Sequence, residues 1–169
     1  MEFGAVTVGE AAGAVLAHSV ALPGGKLKKG TVLNTDHVAA LGAAGIARVT
    51  VARMGPGDLG EDEAAMTLAH ALVDGGEGLR LSKPFTGRVN IHATKIGLAH
   101  LDADRLHAVN AVDDMVTLAT VPNWRRMGEG GMVATVKVIA YGAARASVDK
   151  AAALGRGAVR LAPGVTPDA

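Results

Sequence analysis

The segment 85–90 carries the side chains best suited to contact a ligand. The Thr86 hydroxyl can form hydrogen bonds, Gly87 permits a close approach of the backbone, and the Arg88 guanidinium can bind a phosphate through two parallel hydrogen bonds. If the segment is a strand, alternation places Thr86, Arg88 and Asn90 on one face. The pattern predicts contact with an anionic ligand, although an ordinary solvated strand face beside a turn would give it too.

A second cation, Lys137, lies in the middle of a run rich in valine and threonine that predicts a strand. Thr135 and Lys137 would share one face of this strand, which suits a phosphate group. An exposed or edge strand that carries a lysine against aggregation would have the same sequence. Both interpretations remain open from the sequence.

Asn110 and the neighbouring Asp113 and Asp114 lie where a predicted helix gives way to a strand. Two adjacent carboxylates can share a proton or hold a metal ion. However, neighbours on a turn usually point apart, and Asp and Asn are common turn residues. A small independent enzyme that uses Asp113, Asp114 and His100 is therefore a third hypothesis, behind a structural role for the turn.

Several kinds of site are excluded by the sequence. It contains no cysteine, which rules out disulfides, a thiol nucleophile and a cysteine zinc site. No two histidines are four residues apart, as a helical zinc site requires, and we predict no metal site. The serines lie outside any Gly-x-Ser-x-Gly motif, and neither a phosphate-binding loop nor a dinucleotide fingerprint is present.

The elements that position these side chains must pack with small residues. Hydrophobic residues make up 49% of the 169 residues but aromatic residues only 2%, so Ala, Val, Leu and Ile form the core. Helical and strand patterns follow one another without a repeated βαβ unit, which predicts an α+β fold with mixed small sheets and short Ala-rich helices. A net charge of +1 argues against a nucleic-acid partner. The lack of an apolar run of roughly 18 residues argues against a membrane span.

The chain is predicted to divide at its Gly-Pro-Gly sequence, residues 55–57. We expect a small α/β N-terminal subdomain over residues 1–57 and an α+β subdomain over residues 58–162. Residues 163–169 are expected to form a flexible tail.

Local capping signals predict where several helices begin. Thr7 with Glu10, and Asp58 with Glu61, match the capping-box pattern and predict helices that start at these positions. Asp102 is predicted to cap a further helix that begins at the next residue.

A series of motifs occurs in order along the chain: Glu2-Phe3-Gly4, Val8-Gly9-Glu10-Ala11, Leu22-Pro23-Gly24-Gly25-Lys26, Phe85-Thr86-Gly87-Arg88-Val89-Asn90, Asn110-Ala111-Val112-Asp113, Thr117-Leu118-Ala119-Thr120 and Met132-Val133-Ala134-Thr135-Val136-Lys137. This series resembles the bacterial molybdopterin-binding proteins of molybdenum cofactor biosynthesis. The resemblance covers nearly the whole chain, to about Leu161. Residues 30–53 are also similar to a part of the molybdopterin molybdotransferases that precedes their catalytic domain.

The resemblance implies a molybdopterin-binding or accessory domain, with molybdopterin as its ligand. In longer family members, a molybdopterin-binding α/β domain follows this region, and sometimes a nucleotidyltransferase domain. Neither is present in this sequence, and the catalytic sites of the molybdotransferases belong to that missing part. No catalytic residue is therefore carried over. The expected partners are a molybdopterin-binding catalytic domain or other cofactor-biosynthesis proteins, in the cytoplasm.

The residues expected to contact the ligand are Thr86, Gly87, Arg88, Asn110 and Lys137. Each combines a position in a matched motif with suitable chemistry: a hydroxyl, an unhindered backbone, an amide or a cation. The alternative is a non-catalytic structural module. In that case, Ala-rich helices and a Val-rich strand would form a homodimer interface that orients a separate catalytic domain.

Overall fold

The computed structural model describes residues 1–164 and has an α+β architecture, as predicted. It is 27% helical and 37% strand. The chain divides into two compact units, one of residues Met1–Asp58 and one that begins at Leu59.

The first unit is built around a three-stranded antiparallel sheet with strand order β1-β5-β2. Its elements are β1 (Glu2–Thr7), β2 (Val15–Leu16), β3 (Val20–Leu22), β4 (Gly25–Leu27), α1 (Thr35–Ala43) and β5 (Arg48–Arg53). Strands β3 and β4 form a separate hairpin. Asn34 caps α1 by accepting a hydrogen bond from the backbone N–H of His37 at 2.9 Å. Leu16, Leu33 and Leu41 are fully buried in the core of this unit.

The prediction of a helix that starts at Thr7 is wrong beyond the first turn of that helix. A short 3-10 helix covers only Val8–Glu10, and Thr7 is the last residue of β1. The Thr7 hydroxyl donates to the Glu10 carboxylate at 2.6 Å and caps no backbone N–H. Val15 and Leu16, which the local pattern places in this helix, form β2 and pair with β5 instead, so that strand pairing rather than a helix satisfies backbone groups here.

Asp58 does not cap the helix that follows it, in contrast to the capping-box prediction. Its carboxylate lies 2.8 Å from the Met1 ammonium and accepts a hydrogen bond from the Gly55 N–H at 2.8 Å. The ammonium and this N–H stabilise the ionised form and hold the pKa of Asp58 below its ordinary value. The cap position belongs to Gly60, which has no side chain to accept a bond.

The second unit holds three further sheets and three helices in the described part of the chain, and its first strand begins at Asp58, the last residue of the first unit. Its elements are β6 (Asp58–Gly60), α2 (Glu61–Val73), β7 (Leu79–Leu81), β8 (Arg88–Ala93), β9 (Gly97–Leu101), α3 (Ala103–Asn110), β10 (Val116–Thr120), β11 (Arg126–Met127), β12 (Met132–Val138), β13 (Gly142–Ala144), α4 (Arg145–Gly155) and β14 (Val159–Pro163). The main sheet has the strand order β10-β12-β8-β7, a second has the order β11-β9-β14, and β13 pairs with β6.

Two predictions at the ends of elements in this unit have clear outcomes. Asp102 caps α3 as predicted and accepts a hydrogen bond from the Arg105 N–H at 3.2 Å. The predicted tail begins one residue too early, because Pro163 is the last residue of β14. Residues 165–169, the rest of that tail, lie outside the described residues.

The core of the second unit lies between the main sheet and the helices. Helix α2 contacts β8 and β12, α3 contacts β10, and α4 packs on both helices. Leu68 and Leu72 of α2 are fully buried, as are Val89, Ile91 and Val136 of the sheet. Burial of each such side chain contributes about 1.5–3 kcal/mol. One face of the main sheet is therefore committed to the core, which leaves the opposite face for other contacts.

No helix in residues 1–164 is both long enough and apolar enough to cross a membrane.

Candidate functional site

The face of the main sheet opposite the core, called here the outer sheet face, carries most of the predicted ligand contacts. Its side chains alternate with the buried ones along each strand. They are Arg80 of β7, Arg88, Asn90 and His92 of β8, Thr117 and Ala119 of β10, and Met132, Thr135 and Lys137 of β12. None of the four strands contains an aspartate or a glutamate. The face is therefore positively charged, and it is rich in hydrogen-bonding groups.

A tight turn brings Thr86 and Gly87 to the end of this face. Phe85 and Arg88 exchange two backbone hydrogen bonds of 3.1 Å each, with Thr86 and Gly87 between them. Both central residues have positive φ, 47° and 72°, as in a type I′ hairpin turn. The turn therefore requires the glycine that the sequence indicated as an approach point for a ligand, and this glycine is buried.

Gly87 forms close contacts with α2 and β12. Its N–H donates to the Asp62 carboxylate at 2.7 Å, and its carbonyl accepts from the Val138 N–H at 2.8 Å. A Cβ at this position would lie 2.8 Å from the Val138 carbonyl oxygen and 3.1 Å from Glu61. These contacts fix the turn between the first turn of α2 and the end of β12.

Thr86 is in an unfavourable conformation. A β-branched residue rarely adopts positive φ, because its Cβ substituents clash with the backbone. Type I′ turns usually place Asn, Asp or Gly at this position. Local strain of this kind persists mainly where function requires the side chain. A threonine at this turn therefore favours a functional role for its hydroxyl.

We expect Thr86→Asn to stabilise the protein by about 0.5–1 kcal/mol, because Asn tolerates positive φ. Trp124 is the only tryptophan and lies in the second unit, so its fluorescence during urea unfolding measures the effect there. Thr120→Asn is the control, since Thr120 lies in a strand and the change should not stabilise. A Thr86→Asn variant no more stable than the wild type would contradict the interpretation of strain.

Arg88 and Lys137 are directly opposite each other on β8 and β12. The neighbouring Gly87 and Val138 share a backbone hydrogen bond, so the Arg88–Lys137 pair is of the non-hydrogen-bonded type, in which side chains are closest. Like charges at such positions are destabilising. The Lys137 ammonium donates to the Thr86 carbonyl, which places it beside the turn. Two adjacent cations without a carboxylate on their own strands are an arrangement that an anion would stabilise.

Asn110 lies elsewhere. Its side-chain amide donates to the Leu118 carbonyl at 2.9 Å and accepts from the Leu118 N–H at 2.8 Å. Leu118 is buried on the core face, and α3 packs on that side of the sheet. The structure thus unites Thr86, Gly87, Arg88 and Lys137 but gives Asn110 a different environment.

Two of the three residues of the third hypothesis, Asp113 and His100, are engaged in other contacts. Asp113 accepts a hydrogen bond from the Met115 N–H at 2.9 Å within its own turn. The His100 ring stacks on Trp124, with ring centroids 4.5 Å apart. No cluster of acidic or histidine residues suited to a metal ion occurs within residues 1–164.

A family model described as a domain of unknown function (DUF8806) matches residues 5–53. These residues lie within the first unit, whereas the outer sheet face belongs to the second. No curated protein and no solved structure matches the chain. The resemblance to the molybdopterin-binding proteins stays a prediction.

Some polar residues of the outer sheet face were not chosen from the sequence as ligand contacts. The Thr135 hydroxyl donates to the Asn90 amide oxygen at 2.7 Å, which orients the two N–H groups of Asn90 as donors. Arg80 and His92 are paired on the adjacent strands β7 and β8. The available signal was the period-two alternation within these strands, together with the absence of acidic residues from them.

Proposed function

We propose that the protein is a non-catalytic binding or accessory domain of molybdenum cofactor biosynthesis, and that its outer sheet face holds molybdopterin or a related phosphorylated pterin. The observation that carries the proposal is the cross-strand pair of Arg88 and Lys137 in a sheet whose four strands contain no aspartate or glutamate. Charge-assisted hydrogen bonds from two adjacent cations are well suited to a phosphate. The resemblance of the sequence supplies the identity of the pterin.

The surrounding groups fit such a ligand. The Thr86 hydroxyl lies at the turn beside Lys137, and the Asn90 amide follows Arg88 on the same face of β8. These neutral groups would form hydrogen bonds with the polar edge of a pterin ring, while the cations bind its phosphate. Partner domains in the cytoplasm would supply the chemistry.

Isothermal titration with neopterin monophosphate, a stable phosphorylated pterin, tests this proposal. We expect a dissociation constant of roughly tens of micromolar. Neopterin without phosphate should bind at least about ten-fold more weakly, since charge-assisted bonds are lost. Affinity should also fall as salt is raised, because the cations are exposed to screening. Absence of heat, or equal affinity for both compounds, would remove the direct-binding proposal.

A structural role is the second candidate function, and exposed apolar side chains favour it. Phe85, Met115 and Ile139 are 76%, 44% and 57% exposed. Ile139 and Met115 are joined by a 2.8 Å backbone hydrogen bond, and Phe85 lies in the hairpin that pairs with the end of β12. A second copy of the chain would bury these side chains. A tight dimer in light scattering, without affinity for the pterin phosphate, is the result that favours this role.

A further inference from the structure

A cleft of about 400 Å³ lies at the edge of the main sheet, away from the cation pair. Its walls are α3, the end of β10 and the loop that follows, and its apolar lining includes Leu101, Leu106 and Leu118. Carboxylate, lysine and arginine side chains do not occur in this lining. Its volume suits a small ligand, and the uncharged lining favours a neutral one.

The backbone of β10 determines which groups face this cleft. Strand β10 is at the edge of the sheet, and the Val121 N–H bonds to the Val133 carbonyl on β12. In an antiparallel pair, successive residues point their N–H and C=O groups alternately toward and away from the partner. Val116, Leu118 and Thr120 therefore direct their backbone groups away from β12, on the side where the cleft lies.

Two of these three residues already have partners. The Val116 N–H donates to the Asp113 carbonyl at 3.0 Å, and the Asn110 amide binds both backbone groups of Leu118. In the described part of the chain, the N–H and C=O of Thr120 are left without such a partner. Pro122 is the next residue in this alternation whose backbone would point away from β12, and it has no N–H. An added strand cannot pair along this edge, because Asn110 occupies the middle position.

We propose that this cleft binds a small uncharged ring bearing a lactam, a cyclic amide whose N–H and C=O lie on the same side. The lactam N–H would donate to the Thr120 carbonyl, and its oxygen would accept from the Thr120 N–H. The Asn110 amide shows that this geometry works, since it makes the same two bonds with Leu118 at 2.9 and 2.8 Å. Leu106 and Leu118 would contact the ring. His107 and Asn123 also line the cleft and would form hydrogen bonds with polar substituents of the ring.

The probe is 2-quinolone, and its matched control is N-methyl-2-quinolone, which keeps the ring but lacks the donor. Backbone amide chemical shifts of the full chain report where each compound binds. We expect 2-quinolone to bind with a dissociation constant of about 1 mM or below and to shift the Thr120 amide. The N-methyl compound should bind at least about ten-fold more weakly, because the Thr120 carbonyl then has no donor.

Two variants test the role of the backbone. Thr120→Pro removes the outward N–H without removing a bond to β12, a change that edge strands tolerate. It should weaken 2-quinolone at least about ten-fold, whereas Thr120→Val keeps the N–H and should bind within about two-fold of wild type. Equal binding by both variants, or shifts that lie outside the cleft, would overturn the proposal. If Thr120→Pro does not fold, the affinities of the wild type for 2-quinolone and N-methyl-2-quinolone are sufficient to test the proposal. Equal affinities for the two compounds would reject it.

Discussion

Replacement of both Arg88 and Lys137 by Gln should lower the affinity for neopterin monophosphate by about 100-fold or more. A hydrogen bond to a charged group contributes about 1.5–3 kcal/mol, and each 1.4 kcal/mol corresponds to a factor of ten. The two side chains are cross-strand neighbours, so one phosphate would meet both. The fold should persist, because Arg88 is exposed and Lys137 only half-buried.

A matched variant distinguishes a defined site from general attraction between charges. Arg126→Gln with Arg160→Gln removes the same charge from the second sheet, β11-β9-β14, and should leave the affinity nearly unchanged. Both double variants are compared with the wild type by isothermal titration at one salt concentration. Equal losses in the two would show that the phosphate is attracted by net charge alone.

Gly87→Ala should destabilise the second unit by about 2–5 kcal/mol. Positive φ costs an L-residue about 1–2 kcal/mol. The new Cβ would also lie 2.8 Å from the Val138 carbonyl oxygen, a backbone atom that moves only with β12. Forced overpacking adds about 1–3 kcal/mol. Urea unfolding followed by the fluorescence of Trp124 measures the loss.

Gly130→Ala separates the two contributions. Gly130 also has positive φ, 79°, but a Cβ at this position would have no atom of a non-adjacent residue within 4 Å. This control should lower the free energy of unfolding by only about 1–2 kcal/mol, the contribution of positive φ. If both variants lose the same stability, the close approach of β12 to the turn is not rigid, and the placement of Lys137 beside Thr86 is in doubt.

Alternation within strands made part of the site predictable. The sequence places Arg88 with Asn90, and Thr135 with Lys137, on common faces, since side chains alternate whatever the surroundings. It does not say which strand lies beside which, because register depends on contacts between distant parts of the chain. The pairing of Arg88 with Lys137 is such a contact, and only the structure shows it.

Capping patterns illustrate the same limit. Asp102 begins a helix whose apolar side packs on β10, so the local signal and the tertiary contacts agree. Thr7 has an equally good local pattern, but Val15 and Leu16, further along the predicted helix, form a strand that pairs with β5. Asn110 is a further case, because a residue that looks like an ordinary turn asparagine completes the hydrogen bonding of an edge strand through its amide. A local pattern is reliable only where long-range contacts do not compete with it.

The most direct test of the proposed function is a map of backbone amide chemical shifts during titration with neopterin monophosphate. We expect saturable shifts at Thr86, Gly87, Arg88, Thr135 and Lys137, all on or beside the outer sheet face. Neopterin without phosphate should produce much smaller shifts there at the same concentration. Saturable shifts confined to another surface, or no shifts at all, would contradict the assignment of this face as the pterin phosphate site.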